Sequence, residues 1–239
     1  MAFNKDKTDK QEITPVQKHL PADFNLAAQI RKDLESVANQ VQGGSVERIR
    51  LSGRGFTTPD GAIGESLTVV IVDFASANNH YPEAFDADNP TPPNCFSVGK
   101  NPKLLKPDTA SSEPQAETCE VCPKNLFESG VGKSKACKNT RVLAVMQENP
   151  VEDSPIWLLS VPPASIKFFD TYIATTLRGR HNITSICALT EITMDKKIQH
   201  AAPRFKLIRV LADEEITTYY KRRSEAEAIL LQKPVLVAA

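Results

Sequence analysis

The amino-acid sequence predicts an α+β fold with a mainly antiparallel sheet. Three observations predict it. Short β-branched runs recur on both sides of the chain's middle. Helical stripes precede, separate and follow those runs. Between them, from Asn78 to about Thr140, lies a stretch rich in Pro, Asn and Lys with little apolar periodicity.

The elements follow in order. Residues 1 to about 22 are polar, mixed in charge and aperiodic, and read as a flexible arm. They lack the apolar core of a signal peptide. From Asn25 to Val41, Leu26, Ile30, Leu34, Val37 and Val41 recur at helical spacing. Asp23 or Asn25 caps that helix and Gly43-Gly44 ends it. Val46–Ser52 alternates, with Ile49 and Leu51 on one face and Arg48 and Arg50 on the other. Arg54 follows between two glycines that permit a bend. Thr58-Pro59-Asp60-Gly61 marks a turn, and Ser66–Phe74 is a buried strand. Together these predict an antiparallel hairpin with a long loop.

Regular structure returns at Arg141–Gln147 and Ile156–Ser160, two strands joined at Asn149-Pro150. A helix is expected from Ala164 to Leu177 after Pro162-Pro163. Its inner face would be Ile166, Phe169, Tyr172 or Ile173, and Leu177. Ile183–Ile192 and Arg204–Leu211 read as strands, and Asp213 as the cap of a last helix running to about Gln232. Five or six short strands with one intervening helix fit an OB-like barrel, or a plain sheet with helices on one side. The expected organisation is thus an arm at 1–22 and one α+β domain at 23–239, with 78–140 inserted in it.

The composition bounds function. Of 239 residues, 41% are hydrophobic and 24% charged, ordinary values for a globular protein. The 29 basic and 29 acidic side chains cancel, which excludes a wholly basic nucleic-acid binder but not a basic patch. No apolar run reaches membrane-spanning length. A cytoplasmic protein is expected. Five cysteines there are better read as thiols or metal ligands than as disulfides.

Four of the five fall in the insertion. Cys119 and Cys122 form a CxxC knuckle, with Cys137 fifteen residues on and Cys95 twenty-four residues back. Two thiolates two residues apart bind one ion from a single turn, and the flanking pair would complete a closed tetrahedron. A structural zinc would supply the folding energy that the insertion's sparse apolar content cannot. A redox CxxC and unrelated thiols are the competing readings. His80 is a candidate substitute donor, although a histidine beside a loop is usually solvated. Cys187 reads as inert core.

Between Cys122 and Arg141 the net charge is +4, from Lys124, Lys133, Lys135, Lys138 and Arg141 against Glu128. Arg48, Arg50 and Arg54 form a second stripe. Such cations contact phosphates in a sequence-independent way, although most charge runs are simply solvated. Phe56, Tyr81 and Phe127 occupy loop-like or glycine-flanked positions and are candidate stacking rings for bases. Other signals fail. Gly132-Lys133-Ser134 lacks the earlier glycine of a phosphate loop, since position 127 is Phe. Asp86 and Asp88 have no basic partner in view, and His19, His181 and His200 are scattered. No catalytic set assembles, so no enzyme is expected.

The segments Pro93-Asn94-Cys95-Phe96-Ser97, Cys119–Asn125 and Gly132–Arg141 resemble a cysteine-rich insertion of bacteriophage proteins, mostly uncharacterised or single-stranded-DNA-binding replication proteins. The resembling part covers about a fifth of the chain. It implies an OB-type core with a zinc-bearing insertion, binding single-stranded DNA, or RNA, during phage replication or recombination alongside other replication proteins. The chain departs from binders with an acidic tail, since no acid follows Glu227. The alternative is a zinc-bearing module that docks on a host polymerase or transcription complex.

Overall fold

The computed structural model describes residues 25, 29, 30, 32, 47–83, 91–151 and 153–233. The chain divides into two compact units, Met1–Gly44 and Ser45–Ala239. In the first, Gln29, Ile30 and Lys32 are helical, within the helix expected at 25–41. The Gln29 amide donates to the Asn25 carbonyl at 3.0 Å. The rest of that helix, the arm at 1–22, and Asp86 and Asp88 lie outside the described residues.

The second unit is α+β, built on a curled mixed sheet. Its strands are β1 (Arg48–Leu51), β2 (Phe56–Thr57), β3 (Ile63–Gly64), β4 (Ser66–His80), β5 (Cys95–Gly99), β6 (Cys137–Gln147), β7 (Trp157–Val161), β8 (Ala188–Met194) and β9 (Pro203–Val210). They lie in the order β3-β2-β1-β7-β6-β4-β8-β9, with β5 also paired to β4. The expected hairpin between the first two long runs is not formed. β1 instead runs parallel to β7, and turns back on β2 through Gly53 and Gly55. Those glycines are required sterically. A Cβ on Gly53 would stand 2.1 Å from the Gln199 carbonyl oxygen, and one on Gly55 2.3 Å from that of Gly64. β4 is central. It pairs with β6 along its length, with β8 over Ser66–Val70, and with β5 over Ser76–His80.

Both faces of the sheet are covered, which is why β4 reads as a continuous apolar run rather than an alternating one. One face carries Val69, Ile71, Leu143, Val145 and Leu159, packed under Phe169, Tyr172 and Leu177. The other carries Val70, Val72, Val142, Ala144 and Leu158, packed under Tyr219, Ala226 and Leu230. The first covering helix, α1 (Ile166–Thr171), passes directly into a π-helical stretch, Tyr172–His181. The wider π turn puts neighbours on one face five residues apart. That selects Tyr172, not Ile173, as the partner of Leu177 on the buried face. The left-handed Asn182 (φ 54°) closes it.

The last helix is broken in two, α2 (Asp213–Lys221) and α3 (Arg223–Leu230). Asp213 is the first helical residue rather than the cap. The capping role falls to Glu215, whose carboxylate accepts the Ala212 amide at 2.8 Å and is held by Arg209 at 2.8 Å. The Arg209 guanidinium first, then the Ala212 amide, depress the Glu215 carboxyl to about 2. A depressed folded pKa contributes stability above the unfolded value, near 4.5. That contribution is lost as pH falls through about 2. Urea midpoints between pH 5 and 2 should therefore fall more steeply in the native protein than in Glu215→Gln. Parallel profiles would contradict the assignment. Among the described residues no helix is long and apolar enough to cross a membrane.

Candidate metal centre and its basic rim

The far end of the central strands builds a polar site. His80 on β4 stands opposite Cys95 on β5 and Cys137 on β6. Two residues back, Asn78 stands opposite Ser97 and Asn139. Directly opposed residues project from the same face, so these two rows share a face. It is the face that carries α1 further along. The sequence reading ended β4 at Phe74, because ASANNH offers no apolar alternation. The strand continues because β5 and β6 pair with it on both sides.

Residues 100–136 fold over these rows as a loop with two short 3₁₀ turns, Pro102–Leu104 and Pro123–Asn125. Backbone bonds fasten it. The Asp108 amide donates to the Phe96 carbonyl at 2.8 Å and the Cys119 amide to the Leu105 carbonyl at 2.9 Å. The Asn125 side chain donates to the Cys119 carbonyl at 2.6 Å, tightening the CxxC turn. Ser97 Oγ lies 3.2 Å from Cys119 Sγ.

The fold thus brings Cys95, Cys119, Cys122 and Cys137 to one small cavity, lined also by Asn78, His80 and Ser97. All four cysteines are 7–8% exposed. Burial first, and then Cys119, Cys122 and Cys95 in decreasing order, push the Cys137 thiol up to about 12. Neighbouring thiolates repel one another, so a cation among them would favour the ionised form of Cys137. The soft donor set suits zinc. Among the described residues, however, no group of three or more His, Cys, Asp or Glu side chains is already arranged to hold a metal ion. The cavity collects the thiols without presenting a preformed cage. Cys187 lies apart, half-buried, 3.6 Å from Thr184 Oγ1.

His80 is not the solvated loop histidine that the sequence suggests. It is buried at a strand end. Asn94 and Glu113, which bind it in series, carry no motif, and only the folded loop brings them together.

The basic rim is divided. Phe127 is 76% exposed, with Lys135 Nζ 5.0 Å from its ring centre. Tyr81 is half-buried, with Lys138 Nζ 5.4 Å from its ring. Lys133 is exposed. Two expectations need correction. Phe56 is 2% exposed and belongs to the core under β1, so it cannot stack on a base. Arg141 lies on the α1 face, where Asp170 binds it through Nε at 3.2 Å and Nη2 at 3.1 Å. That pairing withdraws it from phosphate contact. Arg48 and Arg50 project from the opposite face, as does Lys138. Strand geometry puts Arg50 about 17 Å from Lys138. Arg54 is exposed in the β1–β2 bend.

Comparison with family models, curated proteins and solved structures finds no match.

Proposed function

We propose that this is a non-catalytic single-stranded-DNA-binding protein of the bacteriophage replication type, acting in the host cytoplasm. Its binding loop would be held by a zinc ion in the thiol cavity. One observation carries the reading. The loop displays an exposed aromatic ring, Phe127, with Lys135 over it, and an exposed Lys133, while Lys138 lies over the half-buried Tyr81. Among the described residues none of these lysines forms an ion pair, whereas Lys100, Arg141, Arg204 and Arg209 all do. Cations left unneutralised beside an exposed ring suit a phosphate backbone and a stacked base. Arg48, Arg50 and Arg54 would extend the track. The OB-like reading of the curled sheet belongs to this proposal, with a different surface in use. Helices cover both sheet faces, so the strand would run over the loop and the β6–β1 margin.

Fluorescence anisotropy with a labelled 30-mer tests it. The single strand should bind in a salt-sensitive way and the duplex weakly. Changing Lys133 and Lys135 to Glu should weaken binding at least tenfold at low salt. The log–log salt slope should become shallower by about 1.4, or 0.7 for each cation lost. Phe127→Ala should cost about 1–3 kcal/mol of binding. Unchanged affinity in the lysine variant would remove the assignment.

The second reading is a protein-docking module. The same loop exposes Val121, Leu126, Phe127 and Val131, which favours a partner with an apolar surface. It predicts no affinity for either oligonucleotide and retention of a defined host protein that Val131→Asp releases.

A further inference from the structure

We infer that His80 is a metal ligand, and that it, with Cys119, Cys122 and one of the two strand cysteines, Cys95 or Cys137, forms a three-sulfur, one-nitrogen zinc site that leaves the other strand cysteine outside. The inference rests on the proposal that the cavity holds zinc. It replaces the four-cysteine donor set that the sequence alone suggests.

The strand register supplies the first reason. His80 sits between Cys95 and Cys137 on three adjacent strands. Cysteines on strands that flank a third are about 10 Å apart at Cα. Thiolates that share one tetrahedral zinc stand about 3.8 Å apart, given a Zn–S bond near 2.3 Å. A cysteine side chain is one methylene long and closes little of that gap. An ion within reach of either strand cysteine therefore lies above His80.

The second reason is the tautomer. His80 Nδ1 lies 2.8 Å from Asn94 Oδ1. Asn94 Nδ2 donates to Glu113 Oε2 at 2.7 Å, and a carboxylate only accepts. That bond fixes the amide orientation and leaves its oxygen toward the ring. Nδ1 must then carry a proton, so in the neutral ring it is Nε2 that keeps the free lone pair. Histidine ligands in metal sites are oriented in this manner, with the far nitrogen donating to a fixed acceptor. Asn94 is itself locked, since its amide donates to the His80 carbonyl at 3.0 Å and its carbonyl accepts from Glu113 at 2.9 Å. Among the described residues Nε2 has no hydrogen-bond partner, and the side chain lines the cavity.

The third reason is charge. Zinc with three thiolates carries one net negative charge, and with four it carries two. In a buried cavity the smaller charge costs less to desolvate.

Zinc-edge X-ray absorption on the full chain, with metal stoichiometry on the same sample, tests the inference. One zinc with three sulfurs at about 2.3 Å and one nitrogen at about 2.0–2.1 Å is expected. His80→Cys should convert the spectrum to four sulfurs, and one of Cys95→Ser and Cys137→Ser should leave both spectrum and stoichiometry unchanged while the other loses a sulfur. Four sulfurs in the native protein would overturn the inference and leave the zinc-held loop standing. A protein purified from zinc-containing medium with no bound metal would overturn both.

Discussion

If the thiol cavity holds the proposed zinc, withdrawing it, or changing Cys119 and Cys122 together to Ser, should unfold residues 100–136 and spare the sheet. The loop has almost no apolar core of its own. Apart from its cysteines, Leu105 is the buried hydrophobic residue it contributes among the described residues. Backbone bonds to Phe96 and Leu105 and a few polar side-chain contacts do the rest. Such contacts are worth about 1 kcal/mol each, too little to offset ordering a loop of this length at about 1–2 kcal/mol per residue. Metal binding supplies folding free energy directly in small zinc-held domains, and it would act here where the apolar core is missing. Hydrogen exchange should show amides of 100–136 losing protection on chelation, while those of β4, β6 and β8 keep theirs. Single-strand affinity should fall at least tenfold, because Phe127, Lys133 and Lys135 lose their fixed placement. Metal affinity should drop as pH falls, since the buried thiols must shed protons to bind. A loop that stays protected without metal would end the zinc reading.

Legibility in the sequence followed where the free energy comes from. Ile49 against Arg48 and Arg50, and the run from Ser66 to Phe74, stand out because burial on a sheet sets their pattern. Phe169 and Leu177 stand out for the same reason on a helix. What failed was pairing and ends. The β1–β7 parallel pairing joins residues more than a hundred positions apart, and no local signal encodes it. The polar end of β4, Ser76–His80, is a strand only because β5 and β6 flank it. The break at Arg222 divides a helix whose apolar positions gave no warning.

The site was legible in the same uneven way. The CxxC turn is legible because its two thiols stand two positions apart on one tight turn, and the fold does bring both to the cavity. Cys95 and Cys137 can be assigned to the cavity by count, but their separation across His80 needs the register. Phe56 illustrates the converse. A phenylalanine between a glycine-rich bend and a turn reads as exposed, yet the bend exists to bring it under the sheet. Arg141 is lost to Asp170, twenty-nine positions on in a different element, and pairings of that kind leave no trace in composition.

The largest stability loss from a single substitution is expected at Phe169→Ala. Phe169 is fully buried at the start of α1. Its ring meets Phe74 edge-on at 5.1 Å and Phe205 at 5.2 Å, and Phe205 in turn stacks on Tyr172 at 5.9 Å. Truncation removes one ring and two aromatic pairs, and leaves a cavity that the strands beneath cannot close. A cost of about 3–5 kcal/mol is expected, read as a shift in urea midpoint with an unchanged slope. Phe169→Leu should recover more than half of it. The zinc site should be indifferent. Cys137 lies six residues along β6 from Leu143, about 20 Å from the aromatic cluster. Between them the Arg141–Asp170 pair and the Asn78–Asn139 row are polar and tied to the strands themselves. Zinc stoichiometry should therefore survive in folded Phe169→Ala, just as the aromatic cluster should survive chelation. A cost below about 1.5 kcal/mol would mean that α1 is not what seals this face. Loss of zinc from the folded variant would mean that the two ends of the sheet are coupled through Asp170.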